Sequence, residues 1–273
     1  MNGPIAQLLA LACHFNGRAR GITANAFFPS NSTCKFCEYI RFVRRRSGWF
    51  GTSTSWQTDA STPDEWLTRE AKAGRSALVV HQRIDDPGIS DRMSAGFVGG
   101  GGRWLLITTS GRSADAWEAG WEIGNRDATD QRIWKVSYGL VTENNRIELP
   151  RLRTLEVLHA DLRESLEEIL AFADRNCIEG FAESFRKAIA CLSVDDPFEL
   201  VFHKDLAPAG LLGLAAMRIL AACQAAWVFG GMGSWNEMGF DGEEQAIYER
   251  VSARLFSQLN ECICASTNSS ASC

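Results

Sequence analysis

The residues best suited to chemistry in this chain stand close together at His81, Arg83, Asp85 and Asp86. An imidazole titrates near neutral pH, and a guanidinium can hold a carboxylate or phosphate through paired N–H groups. The run Ser-Ala-Leu-Val-Val-His-Gln-Arg over residues 76–83 predicts a strand, and strand parity then puts His81 and Arg83 on one face with the two aspartates just beyond. Read as a catalytic set, His81 is the base, Asp85 and Asp86 assist it, and Arg83 holds an anionic or phosphorylated substrate in a hydrolase-like reaction. Such a reaction also needs a nucleophile or a metal, and neither is evident beside them. The same four residues equally make a polar strand end whose His and Arg pair with the acids.

A second group suits binding. Residues 230–236 read Gly-Gly-Met-Gly-Ser-Trp-Asn, a joint that offers Trp235 and Asn236 to a ligand or simply ends a helix. Trp49, Trp56, Trp66, Trp104, Trp117, Trp121 and Trp134 all precede Pro150, which predicts a packed aromatic centre there. Trp and Arg dominate binding hot spots, so Trp56 joins Arg83, Trp235 and Asn236 as a ligand-binding candidate.

Other motifs are incomplete. Cys34-x-x-Cys37 offers two thiols to zinc or redox chemistry, but lacks the second ligand pair of a structural zinc site, so no metal is expected. If both cysteines lay in one strand, they would face opposite sides. Arg44-Arg45-Arg46 near Trp49 and Phe50 has the ingredients of a single-strand nucleic-acid groove, yet three arginines are few and the net charge is -5. The glycines at 99–102 lack the Lys-Ser/Thr of a phosphate-binding loop and the spacing of a dinucleotide fingerprint. They read as a hairpin loop, and no cofactor is expected.

The elements that must position these groups change character along the chain. Residues 1–15 predict a short amphipathic or buried helix. A strand is expected over 34–43, and a capped helix over 63–73, where Thr62 precedes Pro63 and Glu65 as in a capping box. Gly74 closes that helix. Further strands are expected at 103–109 and 132–141, while 113–125 suits a short helix or a strand equally. After Pro150, leucines and isoleucines at three- and four-residue steps from Leu155 to Leu170 predict an amphipathic helix, followed by helices over 178–192, 208–229 and 242–264. The small polar end, 266–273, predicts a flexible tail.

With 273 residues, 45% of them hydrophobic and 22% charged, the composition is that of a folded globular chain. It predicts an α+β fold in one compact unit: a β-rich, Trp-rich lobe at 1–150 packed against a helical lobe at 151–265. Nine cysteines without a pairing pattern, and no convincing leader at 1–15, predict reduced thiols and a cytoplasmic location. The functional expectation is a non-catalytic protein that binds or regulates a partner or a small anionic ligand. The His81 hydrolase is the first rival. The second is a membrane-active protein that releases the apolar 208–229 helix, against which Arg218 and the many alanines argue. Nucleic acid and membrane are not expected partners.

Overall fold

The computed structural model describes residues 1–22, 25–47, 54–84, 88–146, 149 and 151–271. Its first element is the helix α1 (Gly3–Ala19), capped by Asn2, whose side chain accepts the Ile5 N–H at 3.0 Å. Residues 5–17 of α1 are all buried, including Gln7, His14 and Asn16. It is therefore a central core helix and longer than the sequence implies.

Six strands form one mixed sheet: β1 (Cys37–Ser47), β2 (Thr54–Ala60), β3 (Ser76–Gln82), β4 (Arg103–Ser110), β5 (Ser113–Ile123) and β6 (Trp134–Asn145). Their spatial order is β2-β1-β6-β5-β4-β3, with β1 and β6 parallel and every other pair antiparallel. β5 settles the 113–125 ambiguity, because between β4 and β6 its backbone groups pair on both sides. β1 starts at Cys37, not Cys34, which lies in a 3-10 turn over Ser32–Cys34. The strand-parity argument against the cysteine pair therefore falls away. Both thiols are core groups: burial pushes Cys34 up to about 12 and also raises Cys37, which meets the Gln7 amide at 3.4 Å.

Alternation along the strands gives the sheet one face of Ile40, Phe42, Val79, Leu106, Trp117 and Tyr138, all 1% exposed or less. The helix α2 (Pro63–Lys72) brings Trp66 onto this face, stacked on Phe42 with ring centroids 4.1 Å apart and planes 5° from parallel. Trp117 meets both rings edge-on, an arrangement that suits the ring quadrupoles. This is the aromatic centre that the tryptophan distribution implies. The Thr62 cap aims α2 at it, accepting the Glu65 N–H at 3.2 Å, and Gly74 ends the turn after α2 at φ +66°.

The second half supplies α4 (Leu155–Arg175), α5 (Glu179–Cys191), α6 (Leu214–Ala225) and α7 (Gly242–Asn268), and a four-residue turn, α3 (Asp91–Ser94), lies between β3 and β4. The fold is α+β, with the sheet in the first half and the long helices in the second. One cluster of buried side chains runs from Ile5 in α1 to Ala265 in α7, so both halves share a core.

Two expectations are corrected. The helix over 208–229 is only α6: Gly210 takes φ +76°, which a continuing helix does not allow, and Gly213 caps the later start. Among the described residues no helix is long and apolar enough to cross a membrane. The polar end is not a loose tail. α7 continues to Asn268, and Ser266, Thr267 and Ser270 are fully buried. Ser270 receives an N–H from Asn16 at 2.8 Å, so its polarity is satisfied inside the protein.

Candidate functional site

β3 ends the sheet, and its free edge determines what lies beside His81. In β3 the side chains of Ala77, Val79 and His81 share the core-facing parity. The Asn16 amide bonds both backbone groups of Ala77, at 2.9 and 2.8 Å, and the Asn268 amide does the same for Val79, at 2.7 and 2.9 Å. One step further, the Cys264 thiol is hydrogen-bonded to the His81 backbone. α1 and α7 thus replace a seventh strand. Past Gln82 the chain leaves the sheet, and a cavity of about 540 Å³ opens between the strand end, the loop that carries α3, and α7.

One stripe of α7 lines it: Glu249, Ala253, Phe256, Ser257, Asn260 and Cys264, at helical three- and four-residue steps. Phe256, Asn260 and Cys264 are buried, while Ala253 and Ser257 stand toward solvent. His81 belongs to the inner wall. Its Nε2 lies 2.9 Å from the Gly101 carbonyl, so that nitrogen carries the hydrogen and Nδ1 is the basic atom. Burial, aided by the charge of Arg83, holds the imidazole below its ordinary value of 6.5. Trp104 supports the ring at a centroid distance of 4.8 Å. Gly102 permits this close approach: a Cβ there would sit 2.2 Å from His81 Nε2, and its φ is +87°.

The loop is anchored through Arg92, which is 4% exposed. Its guanidinium donates to Asn236 Oδ1 at 3.0 Å, Tyr248 Oη at 3.3 Å and Glu249 at 2.5 Å. Asn236 returns a bond from Nδ2 to the Arg92 carbonyl at 2.8 Å. Asn236 is therefore a clamp behind the cavity wall rather than part of the lining. Trp235 belongs to the helical core, fully buried among Phe172, Phe181, Phe185 and Tyr248, with its indole N–H on Ser252 at 2.7 Å.

The remaining sequence candidates are spread over the molecule. Arg83 is exposed and lines the same cavity as His81. Asp85 and Asp86 lie outside the described residues, as do Trp49 and Phe50. Trp56 stands in a groove on the other face of the sheet, against Gly139 and under the Arg45 guanidinium at 5.0 Å. Arg44 is taken by Asp59 at 2.6 Å and Glu143 at 2.9 Å, which ties up part of the basic run. Residues 230–234 border a separate cavity with the 96–98 turn, where Gly96 packs directly on the Gly230 backbone. Among the described residues the His81 pair and the first-half tryptophans therefore do not share one pocket, apart from the support Trp104 gives.

Sequence reasoning missed Asn260, Phe256, Cys264 and Arg151. The α7 stripe was readable as helical periodicity, but nothing in the sequence said that it faces His81. It also missed a meeting of Ser32, His203 and Asp205. Ser32 Oγ lies 2.7 Å from His203 Nδ1 and also bonds the Asp205 carboxylate. The order is wrong for a nucleophilic relay, in which the acid must orient the histidine. The neighbouring N–H groups are also committed, Ser32 N to Asp205 at 2.7 Å and Thr33 N to Asn31 at 3.1 Å, so they do not form an oxyanion hole. The cluster fastens the 31–34 turn to the 203–206 segment. Comparison with known proteins finds no matching family model, no matching curated protein and no matching solved structure.

Proposed function

We propose that this chain is a non-catalytic binding protein for a small molecule, and that the cavity between β3 and α7 is its site. The observation that carries this reading is Asn260. Its side chain is 2% exposed, its Oδ1 has no hydrogen-bond partner, and its Nδ2 lies 3.5 Å from a His81 nitrogen whose hydrogen already goes to Gly101. Turning the amide over leaves the other end unsatisfied instead. A buried amide group without a partner costs about 1 to 3 kcal/mol, and a ligand donor recovers it when the wall shifts enough to uncover this oxygen, which is closed to solvent.

The chemistry of the lining favours binding over turnover. Burial pushes the Cys264 thiol up to about 12, so it is not a thiolate nucleophile at neutral pH. His81 Nε2 is held by Gly101, and Glu249 and Glu261 are held by arginines. The volume falls in the range of about 300 to 1,000 Å³ typical of small-molecule sites.

Ligand-observed NMR with a library of small fragments tests the reading. Ala253→Trp, at a solvent-facing position of α7, fills the cavity without touching the core. Binders whose signals vanish with that variant are expected. A library with no binder sensitive to Ala253→Trp would overturn the proposal.

A further inference from the structure

We infer that the ligand of this cavity is a small anion on an apolar body, with its acidic group held at the mouth by Arg83 and Arg151. This rests on the cavity being the binding site proposed above. The lining carries the arginines Arg83, Arg92 and Arg151 and the acids Asp91, Glu249 and Glu261, so its formal charge is even. Its pairing is not. Glu249 is bound to Arg92 at 2.5 Å, and Glu261 to Arg153, which lies outside the lining, also at 2.5 Å. The bond from Arg153 holds the Glu261 carboxyl below its usual range, so it stays ionised and committed to that partner. Asp91 turns one oxygen to the Ile84 N–H at 3.0 Å.

Arg83 and Arg151 are different. Both are exposed, and neither has an ion pair or a side-chain hydrogen bond among the described residues. They come from distant parts of the chain, one just after β3 and the other just before α4, and both line this cavity. Two uncommitted guanidiniums against one acid without an arginine leave a surplus of positive charge there. A carboxylate, phosphate or sulfonate matches it, because a guanidinium fork takes two such oxygens at once. Deeper in, Phe256, Leu152 and Cys264 offer apolar surface, and Asn260 offers one polar contact. The complement is a molecule acidic at one end and largely apolar behind it.

Isothermal titration calorimetry with a matched pair of probes, 2-naphthoate and the neutral 2-naphthamide, tests this. The acid is expected to bind about tenfold more tightly or better, the order of one charge-assisted contact kept at a partly exposed site. The Arg83→Ala, Arg151→Ala double variant should abolish that preference by weakening the acid far more than the amide. Equal affinities in the parent protein, or a preference that survives the double variant, overturn the inference. If acid and amide bind equally and Ala253→Trp removes both, the cavity remains a binding site and only the anion assignment fails. If neither probe binds in a manner sensitive to Ala253→Trp, the cavity and the anion fail together.

Discussion

The side-chain amide of Asn268 takes both backbone groups of Val79, accepting its N–H at 2.7 Å and donating to its carbonyl at 2.9 Å. Val79 is fully buried on the last strand of the sheet, where no further strand among the described residues pairs with it. A six-atom amide thus does the work of a neighbouring backbone, and Asn16 repeats the device at Ala77. The edge is closed against strand addition, and the end of α7 is locked to the sheet. That lock fixes the α7 stripe opposite His81.

Asn268→Ala leaves two backbone groups of a buried strand unpaired. Stability should fall by about 2 to 4 kcal/mol, read from the urea midpoint at unchanged slope. Asn268→Asp keeps the acceptor and loses the donor, so it should fall between. An unchanged midpoint in the alanine variant would show that water replaces the amide freely.

Gly102→Ala puts a methyl group 2.2 Å from His81 Nε2, at a backbone φ of +87°. The variant should lose about 1 to 3 kcal/mol, as strained left-handed positions do. It should also push the imidazole out of its contact with Gly101. As His81 gains water, its pKa should rise back toward 6.5, which NMR titration of the ring reads directly. An unmoved His81 titration would mean that the loop gives way instead.

His14 is buried and His81 half-buried, and both are held below 6.5, in each case chiefly by loss of water around the ring. The unfolded chain takes up protons near 6.5, whereas the folded chain resists them until lower pH. Between those values the unfolded state binds more protons, so stability falls as pH drops below 6.5 and is fully present above it. The slope is at most about 1.4 kcal/mol per pH unit for each histidine. Unfolding free energies at pH 7.5, 6.5 and 5.5 should fall in that order, and His81→Gln should flatten the series. A flat parent series would refute the account.

Thr62→Ala removes the side-chain oxygen that accepts the Glu65 N–H at 3.2 Å. A loss of about 0.5 to 2 kcal/mol is expected, and Thr62→Ser should restore most of it. Trp66 follows the cap on the same helix and stacks on Phe42, so the near-ultraviolet circular dichroism of the alanine variant should weaken as well. Unaltered spectra with unaltered stability would show that packing alone sets the helix start.

The amino-acid sequence by itself determined the parts of this protein whose physics is local. The capped start of α2 follows from Thr62, Pro63 and Glu65, because Thr62 accepts the Glu65 N–H and the Glu65 carboxylate accepts the Ser61 N–H within one turn. The strands β3 and β4 and the amphipathic α4 follow from periodicity, and the α+β class follows from its change after Pro150. His81 and Arg83 line one cavity, but Arg83 stands past the end of β3, so strand parity is not what puts it there. Local signals misled where a short interruption outweighed composition: the apolar text of 208–229 is cut by Gly210 and Gly213, and the polar text of 266–271 is paid for by contacts with α1 and β3.

Only the tertiary structure decided what His81 faces. Asn260 meets it from 179 residues away, Asn236 reaches Arg92 across 144, and Trp56, paired with Arg45, falls on the opposite face of the sheet. Local spacing says which side chains share a face of one element. Which elements confront each other is set by the burial of many apolar side chains at once, and no pair of neighbouring residues carries that information.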